Sequence, residues 1–254
     1  MIFKGDCIEF LSEVDAGCAQ LCVTSPPYNI GKEYEKKTDM TDYLGWIERV
    51  ALLIDRAIAP GGSIFWQVGN TIKSGEVFPL DVLTYPIFSK LGLKLRNRIV
   101  WSFNHGLHCK HRFSGRHETA LWFTKGDKYK FNLDPVRTPS KYPNKRYFKG
   151  PKKGQLSGNP LGKNPGDVWD IPNVKHNHPE KTDHPCQFPE ELVRRAVLST
   201  SDKGDLVIDP FLGSGTTAVV CDRLGRKWTG SEKKPEYWPI IENRLADVQF
   251  DLSA

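Results

Sequence analysis

A short buried strand that runs into a glycine-rich turn is the sequence feature that most restricts the fold of this chain. Residues 205–209 contain the apolar, β-prone run Leu206-Val207-Ile208, and the turn 210–215 ends where a helix begins at Thr216. Gly213 and Gly215 let the backbone approach a ligand closely, and the helix N-terminus offers free N–H groups to an anionic group. Such a strand–turn–helix unit is typical of a nucleotide-cofactor cradle, although a plain tight connection gives the same pattern.

The spacing of this turn argues against two common nucleotide sites. No Lys-Ser/Thr pair follows the second glycine, which argues against a phosphate loop for ATP or GTP. No third glycine completes the dinucleotide fingerprint either. One strand later, Glu232 is an acid placed to bind both hydroxyls of a ribose. The turn therefore predicts a nucleoside cofactor without a phosphate loop.

The rest of the 254 residues alternates between strands and helices, which predicts an α/β fold with a doubly wound, mostly parallel sheet. No stretch reaches the roughly 18 apolar residues of a membrane span, and the N-terminus lacks a signal-peptide pattern, so we expect a cytoplasmic protein with no membrane partner. The six cysteines include no CxxC pair and are expected to be reduced. Strands are predicted at 2–4, 19–24, 63–68, 97–103, 118–124, 205–209 and 227–231, and helices at 42–58, 78–90, 216–224 and from 189 onward.

One segment carries the basic character of the chain. Residues 137–181 have a net charge of +7, which exceeds the +6 of the whole chain. Their prolines and glycines argue against regular structure, and the aromatics Tyr142, Tyr147, Phe148 and Trp169 lie among the basic residues. This mixture suits phosphate neutralisation with base contacts, so we read an inserted recognition region that binds a nucleic acid. The predicted nucleic-acid-binding residues are Lys110, Arg112, Arg116, Lys141, Lys145, Arg146, Lys152 and Lys153.

The histidine-rich loop at 104–111 contains the side-chain types that bind zinc. Its His-x-x-His-Cys-x-His spacing is crowded on one short loop and matches no four-ligand pattern. We therefore predict no metal site, and we expect the loop to contact phosphates or bases together with Lys110, Arg112 and Arg116.

The sequence Ser25-Pro26-Pro27-Tyr28 directly follows the predicted strand 19–24. Ligands bind at the carboxyl ends of parallel strands, and a Pro-Pro loop fixes its neighbours at little entropic cost. A flat heterocycle bearing an amino group would stack on Tyr28, while the Ser25 hydroxyl and the Pro26 carbonyl accept its two N–H bonds. A proline turn with no ligand is the alternative for the motif alone.

The two motifs together resemble those of the DNA amino-methyltransferases, which use S-adenosylmethionine (AdoMet) to methylate an exocyclic amine. The family's catalytic motif [D/N/S]-P-P-[Y/F/W] is matched by residues 25–28, and its cofactor motif F-x-G-x-G by residues 211–215. The catalytic motif comes first, as in the circularly permuted β-class. The resemblance implies a catalytic part at 1–130, a target-recognition insertion at 131–183 and an AdoMet-binding part at 184–254.

The resemblance also assigns roles to individual residues. Asp6 would accept a hydrogen bond from the adenine amine of AdoMet, Asp209 would lie near the cofactor amine, and Phe211 would pack on the adenosine. The implied catalytic residues are Ser25, Pro26, Pro27 and Tyr28. The implied cofactor-binding residues are Asp6, Cys7, His184, Gln187, Asp209, Pro210, Phe211, Gly213, Gly215, Thr216 and Glu232.

The implied activity is site-specific methylation of a flipped-out base in double-stranded DNA. Serine before Pro-Pro-Tyr slightly favours N4 of cytosine, whereas Asn29 after the tyrosine also occurs in N6-adenine members. A catalytically inactive methyltransferase fold that only binds DNA is the alternative from another class, and RNA is a weaker substrate candidate. A homodimer and a cognate restriction endonuclease are implied as candidate partners, while the recognition sequence stays open.

Overall fold

The computed structural model describes residues 1–253 except Tyr34 and Lys36, and the side chains of residues 249–253 fall outside the description. The strands are β1 (Ile2–Lys4), β2 (Ala19–Thr24), β3 (Ile58–Val68), β4 (Asn70–Lys73), β5 (Glu76–Pro79), β6 (Lys94–Ser102), β7 (His117–Thr124), β8 (Val168–Asp170), β9 (Leu206–Asp209) and β10 (Lys227–Glu232). The helices are α1 (Cys7–Glu13), α2 (Met40–Ala57), α3 (Leu80–Lys90), α4 (Glu190–Thr200), α5 (Thr216–Arg223) and α6 (Trp238–Ser253).

Eight of the strands form one sheet in the order β1-β10-β9-β2-β3-β7-β6-β8. Neighbours are parallel except at β7, which is antiparallel to both β3 and β6. The predicted doubly wound, mostly parallel α/β fold is confirmed. Strand β2 lies beside β9 with Leu21 opposite Val207. This pairing joins the two ends of the chain, so the carboxyl ends of β2 and β9 open on the same edge of the sheet.

Helices cover both faces of the sheet. Alternate residues of β2 point to opposite sides, so Cys22 packs into the core beneath α1, α2 and α3, while Leu21 packs into the core beneath α4 and α5. Helix α2 begins after Asp39, whose carboxylate accepts from the Thr41 N–H at 2.8 Å. Five predicted inward positions are buried on α2, at Tyr43, Ile47, Val50, Ala51 and Ile54. The sixth, Ile58, is buried too, but it lies in β3 because the helix ends at Ala57.

Several boundaries differ from the sequence prediction, and the largest changes are at the starts of β3, α3 and β6, which begins at Lys94 rather than at residue 97. Strand β3 begins at Ile58, although Pro60-Gly61-Gly62 predicts only a helix stop, because the Gly61 N–H donates to Lys125 O at 2.8 Å and Lys125 donates to Gly62 O at 3.0 Å. Gly61 has a φ of 79°, which lets the chain turn while it stays paired. Residues 70–79 form an unpredicted hairpin of β4 and β5, so α3 starts at Leu80 rather than at residue 78.

The basic insertion contains an element that the sequence prediction missed. Strand β8 pairs in parallel with β6, with Trp169 opposite Trp101, at the edge of the main sheet. Trp169 is 6% exposed and lies under the guanidinium of Arg195. Its predicted place among the DNA-contacting aromatics is therefore wrong, because burial in the core outweighs the polar composition around it. The lysines and arginines of residues 139–162 are exposed, as are Tyr142, Tyr147 and Phe148.

All six cysteines are free, in agreement with the expected reduced thiols. In the part of the chain that the structure describes, none of the helices combines the length and the apolar character needed to cross a membrane.

Candidate active site at the ends of strands β2 and β9

A cavity of about 690 Å³ opens at the carboxyl ends of the central strands. One wall comes from residues 25–29, which follow β2, and the opposite wall comes from residues 210–214, which follow β9. Glu232 closes it at the end of β10. This volume is in the range of a small-molecule or cofactor site. The two motifs that lie nearly 190 residues apart in sequence therefore face one shared space.

Two hydrogen bonds fix the conformation of the catalytic-motif loop (residues 25–28). The Tyr43 hydroxyl on α2 donates to the Pro27 carbonyl at 2.8 Å. Ser25 Oγ lies 3.1 Å from the Tyr28 hydroxyl, so either group can donate to the other. A side chain on Gly69 would stand 3.0 Å from the Tyr28 ring, so this glycine leaves room for the aromatic face. The loop thus presents a hydroxyl, a carbonyl and a ring in one orientation.

A partly buried polar network lies behind Tyr28, and the sequence pattern gave no signal for its acid, Glu118. The Tyr28 hydroxyl lies 3.0 Å from Gln67 Oε1 and 3.0 Å from Glu118 Oε2, and the Gln67 amide also donates to Glu118. Burial raises the pKa of Glu118 and raises the pKa of Tyr28 well above its usual value. Glu118 is the second residue of β7, 90 residues after Tyr28, so the pairing of β7 with β3 and β6 brings it to the cavity.

The turn after Tyr28 contains a strained backbone conformation at Asn29, and hydrogen bonds from two side chains stabilise it. Asn29 is buried at a φ of 58°, and its side-chain amide exchanges hydrogen bonds with Thr38 at 3.0 and 2.8 Å. The Glu35 carboxylate accepts from the N–H groups of Asn29, Ile30 and Gly31 at 2.7, 2.7 and 3.0 Å. Both Asn29 and Glu35 line the cavity, so this turn forms part of its rim.

The cofactor side of the cavity centres on Glu232. Its two carboxylate oxygens accept from the N–H groups of Gly213 at 2.9 Å and Lys234 at 2.8 Å. Burial raises the pKa of Glu232. A carboxylate has about four lone-pair positions, so two remain for the hydroxyls of a ribose. The rings of Phe211 and Trp46, whose centroids are 5.6 Å apart, supply an apolar surface for a base beside it.

Two further residues complete this wall. Asp6 caps α1 by accepting from the Ile8 N–H at 2.9 Å, and its other oxygen pairs with Lys233 at 3.0 Å. It is therefore both a helix cap and a lining residue. Burial lowers the pKa of His184 to about 4, so its ring is neutral at physiological pH. That ring lies edge-on to Tyr237 at 4.5 Å and against Gly213.

Asp209 and Gly215 do not lie in the cavity wall, in contrast to their predicted role as cofactor contacts. The Asp209 carboxylate accepts from the hydroxyls of Thr24 and Thr217, both at 2.6 Å, and from the Phe211 N–H at 3.0 Å. It thereby ties the end of β2 to the glycine turn beneath the cavity floor. A side chain on Gly215 would meet Ile241 at 2.8 Å, so this glycine permits close packing against α6.

The other predicted site residues reach the cavity or the surface. Among the described residues no group of three His, Cys, Asp or Glu side chains could hold a metal. The predicted DNA-binding residues are exposed except Arg116, which is half-buried and donates to Gly115 O at 2.8 Å. The lining includes Ser25, Pro26, Pro27, Tyr28, Asp6, Cys7, His184, Gln187, Pro210, Phe211, Gly213, Thr216 and Glu232.

The sheet and this cavity define the AdoMet-dependent methyltransferase class. Two solved structures share the fold. The PvuII cytosine-N4-specific DNA methyltransferase matches with a TM-score of 0.76 at 22% identity, over 96% of this chain and 85% of that one. A DNA modification methylase candidate from Thermus thermophilus, in complex with S-adenosyl-L-methionine, matches with a TM-score of 0.68 at 27% identity, over 97% and 95%.

The chain belongs to the N6/N4 DNA methylase family, whose model matches residues 19–243. It is 52% identical to the type II methyltransferase M.BglII of Bacillus subtilis over 96% of this chain and 68% of that protein. It is 33% identical to the DNA adenine methyltransferase YhdJ of Escherichia coli (strain K12) over 100% of this chain and 84% of that protein. The resemblance to the DNA amino-methyltransferases is confirmed.

Proposed function

We propose that this chain transfers a methyl group from AdoMet to the exocyclic amine of a flipped-out base in duplex DNA, with N4 of cytosine as the target. The observation that carries the proposal is the shared cavity, which brings Ser25 and Tyr28 opposite Phe211 and Glu232. The 52% identity to a type II methyltransferase supports site-specific action beside a cognate restriction endonuclease.

The residues present fit AdoMet. Glu232 has free lone pairs for ribose hydroxyls, and Phe211 and Trp46 offer a surface for the adenine ring. The neutral His184 adds no positive charge beside a sulfonium. AdoMet supplies an activated methyl group when bound, so the protein mainly positions the reactants and stabilises charge.

The catalytic-motif loop would act on the target amine. Its nitrogen is a weak nucleophile because its lone pair is delocalised into the ring. Hydrogen bonds accepted by the Ser25 hydroxyl and the Pro26 carbonyl would localise that lone pair and stabilise the positive charge that develops. Stacking on Tyr28 would hold the base, which must leave the duplex because its amine is otherwise out of reach. Ser25, Pro26 and Tyr28 line the same cavity as Phe211 and Glu232.

The exposed cations of residues 139–162 support the DNA-binding part of the proposal. This stretch carries six Lys or Arg and no acid. Lys141, Lys145, Arg146, Lys152 and Lys153 are all exposed, so they can neutralise phosphates along a duplex. We assign the target-recognition role to this stretch together with Lys110 and Arg112.

The decisive experiment compares Ser25→Ala and Tyr28→Ala with Ser89→Ala, an exposed serine on α3 that does not line the cavity. Ser25→Ala and Tyr28→Ala should lose at least about 100-fold of the methyl-transfer rate while AdoMet still binds by calorimetry, because they touch only the amine side. Ser89→Ala should behave as wild type. Near-normal turnover in both cavity variants would refute the assignment.

Adenine is the second candidate target. The 33% identity to YhdJ supports it, and so does Asn29 directly after the tyrosine. Mass spectrometry of nucleosides from the DNA of expressing cells separates the two outcomes. 4-Methylcytosine supports the proposal, 6-methyladenine supports the second candidate, and neither product under saturating AdoMet supports an inactive DNA-binding fold.

A further inference from the structure

We propose that Glu118 receives the proton that the target amine releases, through a hydrogen-bonded chain that runs from Ser25 to Tyr28 to Glu118. The proposal rests on the function proposed above. That mechanism needs an acceptor for the amine proton, and a serine in the first position of the catalytic motif provides no carboxylate to accept it.

The geometry supplies an unbroken path. Ser25 Oγ is 3.1 Å from the Tyr28 hydroxyl, and that hydroxyl is 3.0 Å from Glu118 Oε2. Gln67 donates to the same Glu118 oxygen and places its own carbonyl 3.0 Å from Tyr28. All four side chains line the cavity. The single Tyr28 proton therefore has two acceptors, so the phenol can donate to Glu118 in one state and to Gln67 in another.

The proton step balances. As the methyl group is transferred, the amine nitrogen becomes positively charged, and in the same step it gives up the one proton that the product lacks. That proton passes to Ser25 Oγ, the Ser25 hydroxyl proton passes to the Tyr28 oxygen, and the Tyr28 phenol proton passes to the Glu118 carboxylate. One N–H bond breaks and one O–H bond forms on Glu118. The positive charge of the amine nitrogen and the negative charge of the Glu118 carboxylate are therefore both neutralised. Ser25 and Tyr28 keep their proton count, and water takes the proton from Glu118 afterwards.

The surroundings of Glu118 suit this role. Burial raises the pKa of the Glu118 carboxyl, so the carboxylate is a stronger proton acceptor than an exposed one. The titratable groups that face it in the described chain are Tyr28 from the catalytic-motif loop and His117 from its own strand. Gln67 on β3 and Trp101 on β6, which pairs with Glu118, carry no charge.

The test measures single-turnover methyl transfer against pH in Glu118→Gln, which keeps the shape but cannot take the proton. In the wild type the rate should rise with pH as Glu118 ionises and should fall about two-fold in D₂O. Glu118→Gln should be at least about tenfold slower at pH 8, with no rise with pH and no solvent isotope effect. Glu118→Asp, which restores a carboxylate, should regain the rise with pH.

Glu180→Gln is the matched control, because burial also raises the pKa of Glu180 and this residue does not line the cavity. It should keep the wild-type pH profile. A Glu118→Gln enzyme that keeps the rise with pH and the isotope effect overturns the relay, because Glu118 would then only position Tyr28. A wild-type protein that methylates no DNA would instead overturn the proposed function.

The β6–β7 loop (residues 103–116) exposes apolar side chains and cations next to the cavity. The loop leaves and re-enters the sheet at the cavity, since Phe103 and Glu118 both line it. The Phe113 side chain is 101% exposed, and Leu107 is 89% exposed. The exposed cations Lys110 and Arg112 lie within three residues of Phe113. A fully exposed phenyl group beside cations and next to a base-binding cavity fits a nucleic acid. The base stack would cover the phenyl group, and the phosphates would pair with the cations.

Hydrogen bonds within the β6–β7 loop give it a defined conformation. The Phe103 N–H donates to Arg116 O at 2.9 Å, the Cys109 N–H donates to Ser114 Oγ at 3.0 Å, and Arg116 bonds to Gly115 O. We infer that Phe113 inserts into the base stack of duplex DNA at the place that the flipped base vacates. Apolar side chains commonly enter the stack in this way when a protein distorts a duplex. This inference also rests on the proposed function.

Phe113→Ala tests the wedge with a duplex that carries 2-aminopurine next to the target base, whose fluorescence rises on unstacking. The variant should lose most of the rise seen with wild type, and its methylation defect should shrink on a duplex with a mismatched target, which is easier to flip. Leu52→Ala is the control, because Leu52 is a 55% exposed apolar side chain on α2, outside the cavity, the loop and the insertion, and it should keep the full rise.

An undiminished fluorescence rise in Phe113→Ala, or a defect of equal size on matched and mismatched duplexes, overturns the insertion. The fluorescence is measured without turnover, so its result stands apart from the methylation assay. A protein that unstacks the base but transfers no methyl group would overturn the proposed function and support the wedge.

Discussion

Replacing Asp209 with asparagine should remove a large pH dependence of stability. Asp209 is 1% exposed, and burial raises its pKa from 3.8 to about 6, against the hydrogen bonds from Thr217, Thr24 and the Phe211 N–H. At roughly 1.4 kcal/mol per pKa unit, this rise corresponds to about 3 kcal/mol. The folded state binds the proton more tightly than the unfolded chain, so this stability is present below about pH 4 and is lost as the pH rises through about 6.

Asparagine can occupy this position with its hydrogen bonds kept. Its carbonyl would accept from Thr24 and the Phe211 N–H, which both bond to the same Asp209 oxygen. Its amide would donate to the Thr217 hydroxyl, which can turn toward the Val23 carbonyl at 3.5 Å. Asp209→Asn therefore removes the ionisation without leaving buried hydroxyl groups unpaired.

Urea unfolding followed by circular dichroism at about pH 4 and pH 8 measures the effect. The wild type should lose about 3 kcal/mol more than Asp209→Asn between these pH values, since the other titrating groups cancel in the difference. Asp209→Ala is the contrasting variant. It leaves the Thr24 hydroxyl and the Phe211 N–H without their acceptor and should lose about 2–5 kcal/mol at both pH values. Equal pH dependence in Asp209→Asn and wild type would refute the assignment of a raised Asp209 pKa.

Two shorter predictions concern the glycine turn and the basic insertion. Gly215→Ala should lose about 2–5 kcal/mol of unfolding free energy, because a left-handed φ of 77° and a 2.8 Å approach to Ile241 both oppose a side chain, whereas Gly204→Ala, with a φ of 85° and open space, should lose only about 1–2 kcal/mol. Lys152→Ala combined with Lys153→Ala should lower the salt slope of DNA binding by about 2, and an unchanged slope would place both side chains away from phosphates.

The sequence predicts the parts of the fold where local signals and burial agree. Strand β2 is apolar, β-prone and closed by two prolines, and the structure gives it the predicted bounds of Ala19–Thr24. The inward face of α2 is also predicted correctly, because helical spacing alone selects Tyr43, Ile47 and Ile54. The approach of the catalytic motif to the glycine turn is expected only through the family resemblance, since no local signal encodes the β2–β9 pairing.

What the sequence does not predict depends on distant contacts. Glu118 joins the site because β7 pairs with β3, and its charge gives no hint of burial in a stretch of eight strand residues. Trp169 lies among prolines, glycines and lysines, where composition favours a solvated loop, yet β6 offers a free edge with which it pairs. Asp209 matches a motif position, but three internal hydrogen bonds occupy its carboxylate.

The same contacts divide the insertion into two parts, which suggests a deletion experiment. Thr138 and Lys163 form a two-way backbone bridge at 3.0 and 2.8 Å, so the ends of residues 139–162 already meet. Replacing that stretch with two glycines should leave the circular dichroism spectrum and AdoMet binding intact while it removes six cations and most of the salt dependence of DNA binding.

Removing residues 131–183 should have a different outcome. It deletes β8 and the buried Trp169, whose loss alone costs about 3–5 kcal/mol, comparable with the whole stability of many domains. This larger deletion should therefore unfold the protein or lower its melting temperature by many degrees. If instead both deletions fold equally well, β8 does not belong to the folding unit, and 131–183 is a separable recognition insertion. If the short deletion keeps full salt-dependent DNA binding, the DNA contacts lie outside residues 139–162.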